Sequence, residues 1–220
     1  MTGHPELPVG GVQKTHRPRP LSLLVDRASR SGKASVWPGT DKYRDLRRHG
    51  IVIPMATLLL MRHAKSDYPD GVVDHERPLA PRGVREAALA GDWIRANAPG
   101  IDAVLCSTAT RTRQTLARTG IDAPTEYVEK IYDAVPGTVI GEINDVVSRF
   151  GTQPDTVLVV GHEPAMSSVA LGLDDGANVA VAEEISQKFP TSAIAVLRFD
   201  GPWDELALGG AQLVTFHVPR

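Results

Sequence analysis

Short apolar runs alternate with amphipathic segments along most of the chain. The runs predict strands at 57–61, 103–106, 126–128, 156–160, 193–198 and 212–218. Apolar residues at helical spacing predict helices at 81–98, 139–150, 164–171 and 180–188, and one that ends near 118 with Ser107, Thr108 or Thr110 as its cap. This alternation favours a three-layer α/β/α fold, in which helices cover both faces of a mostly parallel central sheet.

The first 54 residues differ in composition from the rest. Residues 1–50 hold 10 Lys and Arg against 4 Asp and Glu, whereas the other 170 hold 14 against 22. Five prolines in residues 1–50 and the lack of a sustained apolar period predict a basic, disordered extension at 1–54 before one folded domain at 55–220. In a second interpretation the extension is not native, because Met55 opens the first predicted strand and is an alternative start.

Composition excludes several classes of protein. No stretch approaches the roughly 18 consecutive apolar residues of a membrane span, and no apolar run near the N-terminus predicts a signal peptide, so we expect no membrane partner. A single cysteine, Cys106, excludes an internal disulfide and fits a cytoplasmic protein. The basic extension lacks a dense basic run with interleaved aromatic residues, so no nucleic-acid partner is expected.

Residues suited to binding phosphate follow three of the predicted strands. Arg62 and His63 end the first strand, Ser107 ends the second with Arg111 one turn further, and His162 follows the fourth. Ligands of an open α/β sheet bind outside the carboxyl ends of its strands, so these positions are expected to meet at one rim. Guanidinium groups fit phosphate oxygens, and a neutral imidazole is a good nucleophile. The set predicts phosphoryl-transfer chemistry without a metal.

The same residues carry a family resemblance, which extends over roughly 56–218. Leu-Met-Arg-His-Ala at 60–64, the Cys-Ser-Thr to Gln-Thr segment at 106–115, and Val-Gly-His-Glu at 160–163 resemble the three motifs of the histidine phosphatase (phosphoglycerate-mutase-like) superfamily. Arg-Pro-Leu at 77–79 and Thr-Ser-Ala-Ile-Ala at 191–195 are similar to the SixA-type phosphohistidine phosphatases. The resemblance implies a phosphoglycerate-mutase-like fold and a phosphatase.

The resemblance also implies a role for each matching residue. His63 would be the nucleophile that becomes phosphohistidine, assisted by the catalytic residues Arg62, Arg111 and His162. Phosphate would be bound by Arg62, Arg111, His162, Arg77 and Ser107, the last of these also as a helix cap. It implies no cofactor and no bound metal.

A general acid is harder to find. Larger relatives place a glutamate after the third strand, where the nearest carboxylate here is Asp133. The rival carboxylates are Asp67, Asp74, Glu76 and Glu163. The spacing of the aspartates in the 67–74 loop matches no calcium site.

These features predict a metal-independent phosphatase that acts on phosphohistidine in proteins. A weak general acid would suit that substrate, because imidazole leaves more readily than an alkoxide. Two alternatives stay open: a phosphatase of a small phosphorylated metabolite, and a non-catalytic phosphate-binding regulator. The partner is accordingly a phosphorylated protein or a small phosphorylated substrate.

Overall fold

The computed structural model describes residues 55–98 and 100–220. The predicted extension at 1–54 lies outside the described residues. Within them one six-stranded sheet has the order β3-β2-β4-β1-β5-β6. Its strands are β1 Met55–Arg62, β2 Ala103–Ser107, β3 Thr125–Val128, β4 Thr156–Gly161, β5 Ile194–Asp200 and β6 Gln212–His217.

The sheet is mostly parallel, as the sequence pattern predicts. Strands β1 to β4 run in the same direction, while β5 is antiparallel to both β1 and β6. Strands β2 and β4 are buried along their whole length, which explains why they have continuous apolar runs rather than an alternating pattern.

Helices cover both faces of the sheet. They are α1 Pro81–Asn97, α2 Thr110–Thr119, α3 Pro136–Asn144, α4 Val146–Phe150, α5 Ala165–Leu173 and α6 Val179–Gln187. Three short 3-10 helices lie at Asp74–Glu76, Glu129–Ile131 and Trp203–Glu205. In the part of the chain that is described, no helix is both long and apolar enough to cross a membrane.

Two predictions about the helices were wrong. The single helix expected at 139–150 is two helices, because Asp145 leaves helical geometry with ψ near 1° and separates α3 from α4. Helix α2 is capped by Ala109 and has no side-chain cap. The hydroxyls of Ser107 and Thr108 instead bond His162 and His75, respectively, so neither serves as the expected cap.

Alternate residues of each buried strand enter opposite halves of the core. Leu58 and Leu60 of β1 join the larger cluster, which α3 to α6 cover, whereas Leu59 and Met61 join the cluster under α1 and α2. This period of two is the pleat of the strand. The three-layer α/β/α architecture is thereby confirmed.

Helices α1 and α2 approach each other closely at Gly91. A Cβ atom on Gly91 would lie 2.0 Å from the carbonyl oxygen of Thr119. Glycine is therefore required at this contact, which fixes α2, and with it Arg111, beside α1.

Candidate active site

The strand order brings the three predicted strand ends together. Strand β4 lies between β2 and β1, with Arg62 opposite Gly161 and Cys106 opposite Val160 in the register. His63, Ser107 and His162 therefore leave the sheet at the same edge, and all three are buried. The rim expected from the sequence is present in the structure.

His63 has one ring nitrogen fixed by the main chain. Its Nδ1 lies 2.8 Å from the carbonyl oxygen of Ala64, which can only accept, so Nδ1 carries the proton and Nε2 keeps its lone pair. Burial, and then the nearby Arg111 and Arg62, lower the pKa of His63 to about 4, although the Ala64 hydrogen bond opposes this. The ring is thus neutral at physiological pH.

His162 lies beside His63, with 5.1 Å between the ring centroids. Its Nε2 is 2.9 Å from Oγ of Ser107, and its buried Nδ1 has no partner in the described structure. Burial, and next the positive charge that His63 carries when protonated, lower the pKa of His162 to about 3. Two neutral imidazoles therefore share the rim.

Arg111 is held by Asp74, in the loop after β1. Its Nη1 donates to the main-chain oxygen of Asp74 at 2.6 Å, and its Nη2 to the carboxylate at 3.0 Å. The Asp74 carboxylate also accepts from Arg77 at 2.7 Å and from the Tyr132 hydroxyl at 2.8 Å. The Arg77 bond, then the Tyr132 bond, hold the pKa of Asp74 far below its usual range.

Arg77 is bound mainly to its own loop. Besides Asp74, it donates from Nε to the main-chain oxygen of Asp67 at 2.9 Å and from Nη2 to Oγ of Ser66 at 2.6 Å. Its guanidinium lies 3.4 Å from the ring centroid of Tyr68. Only one proton on each Nη remains for a phosphate, so the phosphate-binding role of Arg77 stays a prediction.

Arg62 has more of its donors free. Nη1 donates to the main-chain oxygen of Phe189 at 2.7 Å, while the buried Nε has no partner within the described residues. Burial lowers the pKa of Arg62, against the effect of Glu163. An unpaired buried donor on a guanidinium is costly, and an anion at the rim would satisfy it.

The candidate acids are scattered. Asp133 is exposed, with a left-handed φ of 51°. Glu163 accepts from the main-chain nitrogen and hydroxyl of Ser167, at 3.0 and 2.6 Å, and so anchors α5. Asp67 accepts from the nitrogen of Tyr68 at 2.9 Å, and Glu76 is exposed. No structural observation tests Asp133 as the acid.

Further residues around the rim were not predicted to belong to the site. The ring of Tyr132 meets His162 edge-on at 5.5 Å and His75 edge-on at 4.8 Å. Nε2 of His75 is 3.0 Å from Oγ1 of Thr108, whose hydroxyl donates to Glu129. The sequence signal that could have indicated these residues is their position, since Thr108 follows Ser107 and His75 follows Asp74.

Among residues 55–98 and 100–220, no three His, Cys, Asp or Glu side chains are grouped to hold a metal ion. The polar groups of the rim are instead the charged Arg62 and Arg111 and the two neutral imidazoles. Their chemistry suits an oxyanion rather than a cation.

Comparison with known proteins agrees with this chemistry. The profile of the histidine phosphatase superfamily (branch 1) matches residues 58–131. An uncharacterised protein of Mycobacterium tuberculosis is 64% identical over 162 residues, which make up 73% of this chain and all of that protein. The phosphohistidine phosphatase SixA of Escherichia coli is 27% identical over 146 residues, 65% of this chain and 85% of SixA.

A solved structure, a candidate phosphohistidine phosphatase SixA from Nakamurella multipartitia, superposes with a TM-score of 0.68. It is 38% identical and covers 75% of this chain and 96% of that chain. An α/β/α domain with two imidazoles and two guanidinium groups at the carboxyl edge of its sheet defines a phosphatase. The chain belongs to the histidine phosphatase superfamily.

Proposed function

We propose that this phosphatase removes phosphoryl groups from phosphohistidine side chains of other proteins, through a covalent intermediate on His63 and without a metal ion. The observation that carries the proposal is the hydrogen bond from Nδ1 of His63 to Ala64, which leaves the Nε2 lone pair free. A neutral imidazole with a fixed tautomer is ready for in-line attack on phosphorus.

The surrounding charges support this role. A guanidinium group has five N–H donors, of which Asp74 takes two from Arg111 and Phe189 takes one from Arg62. The remaining donors of the two arginines would neutralise a phosphoryl group as its charge shifts towards the leaving atom. His162 and Ser107 would add one further donor at the same rim, because the hydrogen bond between them uses the other proton.

The reaction then has two steps. Nε2 of His63 forms a bond to phosphorus while the bond to the leaving nitrogen breaks, and the leaving imidazole, protonated on its other nitrogen, departs neutral. Water next attacks the phosphoryl group, the bond to Nε2 breaks, and phosphate is released. Phosphorylation raises the negative charge on the rim, which the arginines offset.

Two observations favour a protein-borne substrate. The connections that border the rim, at 63–80 and 129–135, contain no helix longer than three residues that could cover it, and Tyr68, Val73 and Val135 within them are exposed. A phosphoryl group held out on a partner could reach such a site, whereas a small metabolite would find few remote contacts to orient it. The named SixA relatives are described as phosphohistidine phosphatases, which agrees with this substrate class.

The test combines trapping with a substrate panel. Rapid quench of the wild type with a phosphohistidine peptide is expected to leave acid-labile phosphate on the protein. His63→Ala is expected to abolish both the trapped phosphate and turnover, with a circular dichroism spectrum like that of the wild type. His217→Ala is the matched control, because His217 stacks on Trp93 instead of facing His63.

Full activity in His63→Ala would refute the mechanism. Binding without turnover would identify a phosphate-binding regulator, and preference for a small ester would identify a metabolite phosphatase.

A further inference from the structure

We propose that His75 gives a proton to the leaving group and takes one from the attacking water. The inference rests on the proposed function, because it requires phosphoryl transfer to His63. It assigns the acid-base role to an imidazole in the loop after β1, not to the carboxylate that sequence position favours, Asp133.

One side chain, that of Tyr132, lies between His75 and His162, the imidazole beside His63. The His75 ring meets the Tyr132 ring edge-on at 4.8 Å, and the same Tyr132 ring meets His162 at 5.5 Å. The residue before it, Asp74, binds Arg111. About 37% of the His75 side chain is exposed, so a leaving group and water both have access to it.

The hydrogen bonds of His75 have a defined direction. The Glu129 carboxylate can only accept, so the Thr108 hydroxyl gives its proton to Glu129. Oγ1 of Thr108 therefore accepts from Nε2 of His75, at 3.0 Å. Nε2 keeps its proton throughout, and Nδ1 is the nitrogen left to gain and lose one. This arrangement fixes the tautomer of His75 as the Ala64 carbonyl fixes that of His63.

The groups that face His75 can compensate its charge. Glu129 lies 4.0 Å from Nε2 and would form an ion pair with a protonated ring. Asp74 adds a carboxylate on the same short helix, but Arg77 and Arg111 already pair with it. The Tyr132 ring packs edge-on against the imidazole, and its hydroxyl group donates a hydrogen bond to Asp74.

Proton transfer through His75 balances both steps. In the first step with a phosphate ester, Nε2 of His63 bonds to phosphorus, the bond to the leaving oxygen breaks, and that oxygen takes the proton from Nδ1 of His75. With phosphohistidine, the leaving imidazole takes this proton when its other nitrogen is not already protonated. In the second, water loses a proton to Nδ1 as its oxygen bonds to phosphorus, and the electron pair of the P–N bond returns to His63. His75 is protonated again at the end, ready for the next turnover.

A leaving-group series tests the inference on the full-length protein. For His75→Asn, kcat/KM for phenyl phosphate, which has a poor leaving group, is expected to fall about 100-fold. For 2,4-dinitrophenyl phosphate, whose leaving group needs no proton, it is expected to fall less than about fivefold, with phosphorylated His63 accumulating because water loses its base. His217→Asn is the matched control and should match the wild type on both substrates.

Further variants separate the explanations. Glu129→Gln should show a smaller loss with the same leaving-group dependence, and Glu126→Gln, at an exposed position of β3, should show none. Equal losses on both aryl phosphates in His75→Asn would overturn the inference and leave only a positioning role. A leaving-group-dependent loss in Glu129→Gln but not in His75→Asn would make Glu129 the donor. If wild type is active and His63→Ala is not, either result rejects the role of His75 without touching the proposed function.

Discussion

Arg111 donates two hydrogen bonds to the same residue, Asp74, one to its main-chain oxygen at 2.6 Å and one to its carboxylate at 3.0 Å. The side chain expected to bind phosphate is thus aimed by the loop that follows the nucleophile strand. Asp74 is exposed by about half, so this pair orients a functional group more than it stabilises the fold.

Asp74→Asn is expected to lower kcat/KM about tenfold, the scale of one charge-assisted hydrogen bond. The amide keeps one acceptor but loses the negative charge that Arg77, Arg111 and Tyr132 share. Weaker inhibition by inorganic phosphate should accompany the loss. Asp70→Asn, in the same exposed loop, is the control and should have no effect. Unchanged kinetics in Asp74→Asn would show that Arg111 does not need this partner.

The two imidazoles of the site, His63 and His162, should stay neutral in mild acid. The pKa of His63 is lowered to about 4 and that of His162 to about 3, so both remain neutral at pH 6, where an unfolded histidine is largely protonated. Nitrogen-15 spectra of the histidine rings should therefore show His63 protonated only at Nδ1 from pH 8 down to pH 5. A His63 titration with its midpoint near 6.5 would contradict this.

The same shifts predict a fall in stability with acid. The unfolded chain binds protons at His63 and His162 that the folded chain does not. The free energy of unfolding should therefore decrease as pH falls from about 6.5 to about 4 for His63 and to about 3 for His162. In His63→Ala this part of the slope should be reduced. An unchanged slope would assign the acid sensitivity to other groups.

Chelators are expected to leave activity unchanged. The proposed site neutralises phosphate with Arg62, Arg111 and imidazole donors, so nothing in the catalytic cycle calls for a divalent cation. Turnover of 4-nitrophenyl phosphate after incubation with EDTA is the measurement. Loss of activity that added Mg²⁺ or Zn²⁺ restores would show that the aspartates of the 67–74 loop bind a metal.

Gly91→Ala is expected to destabilise the protein by about 1–3 kcal/mol, the usual effect of overpacking. Its Cβ would lie 2.0 Å from the main-chain oxygen of Thr119, and neither helix can yield without moving the other. Gly141→Ala is the matched control, since a Cβ there meets nothing within 4 Å, and it should stabilise α3 by about 0.5–1 kcal/mol. Thermal melts of both variants check the pair; equal melting temperatures would contradict it.

Substrate preference should favour phosphohistidine. We expect kcat/KM for a phosphohistidine peptide to exceed that for 3-phosphoglycerate or a hexose phosphate by about 100-fold, or about 2.7 kcal/mol. Asp133→Asn should cost less than about tenfold on the peptide, since imidazole needs little help to leave. A preference for the small ester, with turnover crippled in Asp133→Asn, would instead favour a metabolite phosphatase.

The sequence predicted the rim because each of its parts is local. Arg62, His63 and His162 directly follow apolar runs, and parallel strands must end at one edge, so a one-dimensional pattern sufficed. Capping by Ser107 was wrong because α2 begins only at Thr110, after Ala109, and the Ser107 hydroxyl bonds His162 across 55 positions of the chain.

The roles of the supporting residues could not be predicted from the sequence, because they depend on tertiary contacts. Asp74, Tyr132 and Thr108 acquire their roles through contacts between the loop after β1 and the segments after β2 and β3. Asp74 and Tyr132 are 58 positions apart, and no periodicity links them. The sequence does not distinguish a loop carboxylate that acts as a general acid from one that binds a metal or one that holds an arginine in place.

The hydroxyl of Thr115 joins the two halves of the site through the main chain. It accepts from the nitrogen of Ala64 at 2.9 Å and donates to the carbonyl oxygen of Arg111 at 2.6 Å. The segment that carries the nucleophile and the helix that carries the arginine are therefore tethered at a buried point. Thermal motion should move them together, so the entropy of arranging them is lost when the chain folds and not when phosphate arrives.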